Sequence, residues 1–183
     1  MLSKEDLEIE YQRISFWISN IDTKISFALG ATGVLLGFIL SNEDLGQILK
    51  KNYKTLKLWN DTSLNSGILF LFFGLTVIFL IVAFWCFLSG LRAKIDPEKY
   101  KQPQMVLPSN IFWGDISMSN FFSYKYRLEN SQAQDWIKDI QTQIYINSCI
   151  CTRKSKFYNI GINSLKVSII GFVVYHIWLW LFL

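Results

Sequence analysis

The stretch SGILFLFFGLTVIFLIVAFWCFLSGL, from Ser66 to Leu91, contains no Asp, Glu, Lys or Arg. A helix needs about 20 mostly apolar residues to cross the hydrocarbon core of a bilayer, because each residue advances it by about 1.5 Å. This stretch exceeds that length. It therefore predicts a transmembrane helix over residues 66–91.

Two shorter stretches, Ile25 to Leu40 and Val167 to Leu183, also lack these four residue types. Hydrophobic residues make up 51% of the chain and the mean hydropathy is +0.27, which supports further spans over residues 25–41 and 166–183. Both stretches meet the length limit narrowly, so the alternative is two spans with one helix on the membrane surface. We predict an all-α chain with three transmembrane helices, the first and third extended into a cytoplasmic helical bundle.

The distribution of basic residues predicts the orientation, since the cytoplasmic flanks of transmembrane helices collect Lys and Arg. Fourteen of the 18 basic residues precede the first span or lie between Arg92 and Lys166. We therefore predict that residues 1–24 and 92–165 are cytoplasmic, and that the 42–65 loop and the C-terminus are extracytoplasmic. A plasma or inner membrane suits this arrangement. The 42–65 loop carries the other four basic residues, Lys50, Lys51, Lys54 and Lys57.

The first cytoplasmic segment, residues 1–24, has the pattern of an amphipathic helix. Ser3 and Asp6 have the spacing of a weak capping box at its start. No Pro or Gly precedes Gly30, so the pattern predicts one continuous helix from about Lys4 to Leu40. The apolar stripe of this helix recurs at intervals of three and four residues and consists of Leu7, Tyr11, Ile14, Ile18 and Ile21.

The partner of this stripe is predicted to be the third long helix. From about Ser131 to Leu183 the chain contains no proline, and apolar residues repeat with a helical period. All three prolines, Pro97, Pro103 and Pro108, follow the second span instead and predict an extended linker. The linker leads into a Phe-Trp-Gly turn and then a short helix over about Ser117 to Glu129. We interpret residues 92–165 as a cytoplasmic sensing region.

No sequence pattern for catalysis is present. The phosphate-binding pattern G-x-x-x-x-G-K, the zinc-protease pattern H-E-x-x-H and the nucleophile pattern G-x-S-x-G are all absent. The single histidine, His176, limits acid–base chemistry and lies too far from Cys149 and Cys151 for a zinc site. We predict that the protein is not an enzyme and has no metal, no cofactor and no nucleic-acid partner.

Small residues in the first span predict close helix packing. Gly33 and Gly37 form a G-x-x-x-G pattern, and Gly30 is paired with Ser26 at the same spacing. Small residues four positions apart let two helix backbones approach closely in a bilayer. One interpretation is self-association into a homo-oligomer, and the other is packing among the three spans of one chain.

Two charged residues, Asp22 and Lys24, lie at the membrane edge of the first span. A charge in hydrocarbon costs at least about 2.5 kcal/mol, so both side chains should face water, headgroups or a partner. They are either an ordinary interfacial pair or part of a salt bridge that couples the cytoplasmic helix to the spans.

Basic and aromatic side chains in the cytoplasmic segments suggest two kinds of ligand. Arg and Lys can contact anionic lipid headgroups, or they can hold the phosphate of a small ligand whose base stacks on Phe112, Trp113 or Trp136. We expect such a pocket at the extended linker and the Phe-Trp-Gly turn. The basic residues in question are Arg92, Lys94, Lys125, Arg127, Arg153, Lys154 and Lys156.

Four segments resemble the Pycsar transmembrane effector family, and they occur in the family's order. Phe16–Lys24 resembles the family's start of the first span, and Leu91–Pro97 is similar to its exit from the second. Phe112–Ile116 is similar to a Phe-Phe-Gly-x-Ile element, and Gln143–Asn147 with Lys154 resembles the last cytoplasmic helix. The chain departs from the family pattern at Ile21, Ile25 and Trp113.

The resemblance implies a membrane effector of a bacterial antiphage defence system, located in the inner membrane as a multi-pass protein. In this family a partner cyclase makes a cyclic pyrimidine mononucleotide, cCMP or cUMP, and the effector then impairs membrane integrity and causes growth arrest or cell death. The positions that match family motifs give the candidate sites. They are Arg92, Phe112, Trp113, Asp115 and Lys154 for the ligand, and Asp22, Thr23 and Lys24 for coupling at the membrane edge.

The alternative interpretation is a non-gated three-span membrane adaptor whose cytoplasmic helices dock a protein partner. The long apolar stripe from Leu7 to Ile21 favours it. A solute transporter fits less well, because one chain has too few spans and no internal repeat.

Overall fold

A computed structural model describes residues 3–41, 46–47, 50, 53–54, 63–92, 100 and 102–182. Within these residues the regular structure is helical, and no strand is present. The helices are α1 (Lys4–Ser41), α2 (Ser63–Leu91), α3 (Trp113–Met118), α4 (Phe121–Asn130) and α5 (Ala133–Phe182); the few described residues between 46 and 54 are also helical. The predicted all-α fold class is confirmed.

The three longest helices, α1, α2 and α5, are long and apolar enough to cross a membrane. Each contains an 18-residue window with a mean hydropathy of at least 1.6 and no more than two charged residues. The central helix α2 has the highest value, 2.9. These helices make the chain a multi-pass membrane protein, as the three apolar stretches predicted.

Helix α1 begins at the predicted capping box. The amide of Asp6 donates to Ser3 Oγ at 3.1 Å, and the amide of Ser3 donates to Asp6 Oδ2 at 3.0 Å. The hydroxyl of Ser3 also donates to Asp6 Oδ2, at 2.8 Å. The two hydrogen bonds that the carboxylate accepts from the Ser3 hydroxyl and amide lower the pKa of Asp6. From this cap the helix continues to Ser41, one residue beyond the predicted end.

Helix α5 is a continuous helix of 50 residues, about 75 Å long at 1.5 Å per residue. It begins where the amide of Gln132 donates to Asp135 Oδ2 at 3.0 Å. Gly161 and Gly171 lie inside the helix and do not end it. The predicted end at Leu183 lies outside the described residues.

The prediction of a single short helix over Ser117 to Glu129 is wrong. The structure has α3 and α4 instead, because Asn120 adopts an extended backbone and its Oδ1 accepts the amide of Ser123 at 2.7 Å. Asn is a strong helix N-cap residue, so it starts a new helix here. The predicted Phe-Trp-Gly turn is also helical in part, since Trp113 and Gly114 open α3.

The chain divides into two compact units. The polar unit comprises Met1–Asp22 and Ala93–Ser155, and the span unit comprises Thr23–Arg92 and Lys156–Leu183. Most of the predicted 42–65 loop and the linker residues 93–99 and 101, with Lys94 and Pro97, lie outside the described residues. The orientation of the termini and the predicted segment boundaries stay predictions.

Two glycines of α5 lie in close contact with α2 in the span unit. A Cβ on Gly161 would lie 2.5 Å from the buried ring of Phe87, and a Cβ on Gly171 would lie 2.7 Å from Thr76 Oγ1. Nearby, Ser168 Oγ of α5 donates to the carbonyl of Thr76 in α2 at 2.8 Å. Close approach between α2 and α5 therefore depends on small residues in α5.

The predicted packing glycines of the first span make no such contact. A Cβ on Gly30, Gly33 or Gly37 would meet no atom of the described chain within 4 Å. Among the described residues, these three glycines therefore make no close contact with the other two spans, and packing within one chain through them is not supported. Self-association through the same residues stays a prediction.

Candidate functional site

A buried carboxylate, Asp139 of α5, lies at the centre of a hydrogen-bonded cluster in the polar unit. Its side chain is inaccessible, with 1% of the residue exposed. Ser109 Oγ donates to Asp139 Oδ1 at 2.6 Å, and the amide of Asn110 donates to Oδ2 at 2.7 Å. Asp139 thus holds the segment before α3 against α5. We call Ser109, Asn110, Asp115, Arg127 and Asp139 the Asp139 cluster.

Ser109 connects this carboxylate to the start of α3. Its hydroxyl accepts the amides of Ile111 and Phe112, each at 3.0 Å, and its own amide donates to Asp115 Oδ2 at 2.7 Å. One buried serine therefore provides hydrogen-bond partners for several polar groups of the segment that leads into α3. The position of Phe112, which precedes α3, follows from these bonds.

Arg127 of α4 completes the cluster. Its Nε donates to Asn110 Oδ1 and its Nη2 donates to Ser119 Oγ, both at 3.0 Å. The guanidinium also lies 6.0 Å from the centre of the Tyr124 ring. The planar donor fork of Arg suits this bridging of two acceptors from different segments.

The surroundings of Asp139 change the pKa of its carboxyl in opposite directions. Burial raises the pKa of this carboxyl above its ordinary value, and the negative charge of Asp115 acts in the same direction. The hydrogen bonds from Ser109 and Asn110 and the charge of Arg127 act against this rise. The hydrogen bonds of the cluster join groups of the protein to one another, so its role is to hold the segment around α3 in place.

A cavity lies between the linker and one face of α5, and we call it the linker cavity. Its volume is about 330 Å³. The linker side is the turn 102–105, in which Gln104 has a left-handed backbone with φ of 77°. The helix side consists of Lys138, Gln141, Thr142 and Tyr145.

A second cavity, which we call the aromatic cavity, lies between α1 and α5. It has a volume of about 230 Å³. Among its described lining residues the one cation is Lys4, which lies 3.5 Å from Glu8 in an exposed ion pair within α1. The cavity places the first turns of α1 next to α5, and Tyr11 is the residue of the predicted stripe that lines it. The packing of the whole stripe on α5 stays a prediction. Its other lining residues are Tyr11, Ile111, Trp136 and Ile140.

The charged residue Asp22 pairs with α5 rather than with its neighbour Lys24. Lys154 Nζ lies 2.5 Å from Asp22 Oδ1, and the lysine side chain is only 13% exposed. Burial and the charge of Asp22 together raise the pKa of the nearby Cys151 thiol. Asp22 therefore forms a salt bridge, with a partner 132 positions away in the sequence. Both residues lie in the polar unit, so a coupling to the spans stays a prediction. Thr23 and Lys24 are exposed residues of the span unit.

The structure brings three of the five predicted ligand residues together. Phe112 and Trp113 have ring centres 5.5 Å apart, and Asp115 lies in the same turn of α3. Trp113 is 68% exposed. Lys154 is engaged by Asp22, and Arg92 is an exposed residue at the end of α2 in the span unit.

Sequence reasoning missed three members of the Asp139 cluster as a site: Ser109, Asn110 and Asp139. One signal was available. Asp139 lies between Trp136 and Ile140 on the apolar face of α5, and an acidic residue on a buried face requires partners. The pair Ser109–Asn110 directly after a proline has the composition of a turn that caps its own backbone. Within the described part of the chain, no group of three His, Cys, Asp or Glu side chains is placed to hold a metal ion.

Comparisons with known proteins identify the family. The Pycsar effector protein domain matches residues 6–182. The Pycsar effector protein GmPycTM of Gulbenkiania mobilis is 34% identical over 180 residues, which cover 93% of this chain and 90% of that protein. No solved structure matches the chain. The chain therefore belongs to the Pycsar effector proteins, the membrane effectors of antiphage defence that its sequence motifs resemble.

Proposed function

We propose that the protein is activated by a cyclic pyrimidine mononucleotide, cCMP or cUMP, made by a partner cyclase, and that it then impairs membrane integrity. The observation that carries this proposal is the extent of the family match. It covers residues 6–182 and so includes both the polar unit and the span unit. Growth arrest or cell death follows from loss of the membrane barrier.

Two helices support a connection between ligand binding and the membrane. Helices α1 and α5 each contribute residues to the polar unit and to the span unit. A ligand changes such a protein only if it binds the resting and active states with different affinity. We propose that the ligand binds in the polar unit, and that α1 and α5 transmit the change.

The proposed location is the bacterial inner membrane, with a cytoplasmic N-terminus and an extracytoplasmic C-terminus. The polar unit then lies on the side where a cyclase releases its product. We also propose a homo-oligomer, since the face of α1 with Gly30, Gly33 and Gly37 is open in the described chain and small residues favour helix association.

The test uses purified full-length protein in liposomes filled with a self-quenching dye. Addition of cCMP or cUMP should release the dye, whereas the linear nucleotides CMP and UMP and the purine cAMP should not. Protein-free liposomes give the background. Retention of the dye with both cyclic pyrimidine nucleotides at saturating concentration would overturn the proposal.

The non-gated adaptor remains a second candidate because one surface of the polar unit is exposed and aromatic. Trp113, Met118, Phe121 and Phe122 on α3 and α4 are each more than two-thirds exposed. Large exposed apolar patches mark interaction sites. A single protein recovered in stoichiometric amount with the wild type, and lost with Phe121→Ser and Phe122→Ser, would support the adaptor, provided that no cyclic nucleotide changes the melting temperature.

A further inference from the structure

The linker cavity has a regular wall on its helix side. Lys138, Gln141, Thr142 and Tyr145 occupy positions i, i+3, i+4 and i+7 of α5, so their side chains share one face. Such a wall is rigid, because every residue belongs to the interior of a 50-residue helix. A ligand on this face would contact α5 directly.

The linker side of the cavity is held on this helix by hydrogen bonds. Gln102 Nε2 donates to the hydroxyl of Tyr145 at 2.6 Å, and the amide of Val106 donates to Thr142 Oγ1 at 3.1 Å. Between these two bonds, Gln104 has a left-handed backbone, which is uncommon for a residue other than glycine. Residues in such conformations cluster at ligand clamps.

The polar groups of the cavity suit a small anion with a hydrogen-bonding ring. Among the described residues, the side chains of Lys138, Gln104 and Gln141 are exposed and have no ion-pair or hydrogen-bond partner. A lysine ammonium is a common phosphate ligand. A glutamine amide offers both a donor and an acceptor, which is the pairing that the edge of a pyrimidine presents.

Neither of the other candidate places offers this combination. In the aromatic cavity the single cation, Lys4, is paired with Glu8, and that carboxylate disfavours an anion. At the start of α3, Asp115 is bonded to the amide of Ser109 and carries a negative charge of its own. The volume of the linker cavity, about 330 Å³, is at the small end of ligand sites and suits one nucleotide.

We propose that the linker cavity is the binding site for the cyclic pyrimidine mononucleotide, an inference that rests on the proposed function. Lys138 binds the cyclic phosphate, and the amides of Gln104 and Gln141 bind the edge of the base. The ligand then joins the 102–105 turn to α5. This ties the linker after α2 to a helix that continues into the span unit.

The experiment measures the affinity of full-length protein in nanodiscs for cCMP and cUMP by calorimetry. The variants Lys138→Gln and Gln141→Ala alter exposed side chains, and circular dichroism confirms their helix content. Loss of a charge-assisted hydrogen bond should weaken binding by about tenfold or more in Lys138→Gln. Lys54→Gln removes an exposed lysine outside both cavities and should bind like the wild type within about twofold.

Three results would overturn the inference, and they are distinguishable. If Lys138→Gln and Gln141→Ala bind as tightly as the wild type and still release dye, the site is elsewhere although the proposed function stands. If Lys4→Gln weakens binding and Lys138→Gln does not, the aromatic cavity is the site. If the wild type neither binds nor responds to either nucleotide, the proposed function fails together with this inference.

Discussion

The two units of this protein reach their structures by different interactions. In the polar unit, buried positions include Ser109, Asp139, Thr142 and Gln143, and hydrogen bonds fix how the segments meet. In the span unit, the buried hydroxyls of Thr32 and Thr76 donate to carbonyls of their own helices. Close packing between α2 and α5 there depends on small side chains, such as Gly161 against the ring of Phe87. The polar unit therefore depends on donors and acceptors, and the span unit on side-chain volume.

The solvent explains this difference. In water, apolar burial drives segments together without choosing a unique arrangement, so buried polar groups add specificity. In a bilayer the lipid is as apolar as the helices, and association depends on van der Waals packing and a few hydrogen bonds.

The largest effect is expected for Asp139→Ala in the polar unit. The substitution leaves the buried hydroxyl of Ser109 and the amide of Asn110 without their acceptor, and each such loss costs about 1–3 kcal/mol. We expect the free energy of unfolding to fall by about 3 kcal/mol in denaturant titrations. The exposed Glu129→Ala should change it by less than about 0.5 kcal/mol; an equal loss in both variants would contradict the role of the cluster.

Gly161→Val tests the packing of the span unit. The new side chain would meet the ring of Phe87, which is fully buried. Overpacking of this kind costs about 1–3 kcal/mol, so a loss of about 2 kcal/mol is expected in lipid bicelles. The matched control is Gly30→Val, where a Cβ would have no described atom within 4 Å, and this variant should leave the monomer unchanged. Equal stability of both variants would show that volume does not determine this packing.

Asp22→Asn tests the ion pair with Lys154. The lysine is 13% exposed, so the expected loss, about 1.5 kcal/mol, lies between values for exposed and buried pairs. A double-mutant cycle with Lys154→Met isolates the interaction between the two charges. Lys24→Gln, a nearby exposed charge, should have little effect. A coupling energy of zero would return Asp22 to the interpretation of an ordinary interfacial residue.

Ser168→Ala removes a hydrogen bond between two spans. The hydroxyl donates to the carbonyl of Thr76 at 2.8 Å, and such bonds in membrane proteins contribute about 0.6 kcal/mol on average. We expect a loss of that size, well below the loss for Asp139→Ala. If Ser168→Ala costs as much as Asp139→Ala, hydrogen bonds specify the span unit as strongly as the polar unit, and the comparison fails.

The smallest effect is expected in the dependence of the unfolding free energy on pH. Burial raises the pKa of Asp139 in the folded state, so the folded protein binds this proton more tightly than the unfolded chain does. Its contribution to stability is therefore greatest in acid, and it decreases as pH rises from about 3.8 through the folded-state pKa. The difference in unfolding free energy between wild type and Asp139→Asn, measured against pH, should show this slope. A difference that grows with pH would contradict the raised pKa.

Much of the helical architecture could be predicted because it depends on local patterns. The capping box at Ser3 and the absence of proline after Ser131 correctly indicated where α1 begins and how far α5 extends. The error over Ser117–Glu129 was also local in origin. Apolar spacing favoured one helix, but the side chain of Asn120 caps a new one.

The candidate site could be predicted only in part. The start of α3, with Phe112, Trp113 and Asp115, was recognisable from its motif. The Asp139 cluster was not, because its members come from four segments and their bonds connect residues up to 30 positions apart. The linker cavity has the same origin, since it depends on where the 102–105 turn meets α5.

Residues that are close together in the chain were enough to identify a helical membrane protein of the Pycsar effector family. Apolar length, charge and motif order are properties of neighbouring residues, so they can be recognised without a fold. Which distant residues meet depends on the fold: Asp22 contacts Lys154 across 132 positions, Ser168 contacts Thr76 across 92, and Gly161 rather than Gly33 lies against a neighbouring side chain. The physical reason is that ion pairs, hydrogen bonds and close packing act over a few ångströms, and the fold alone brings distant residues that close.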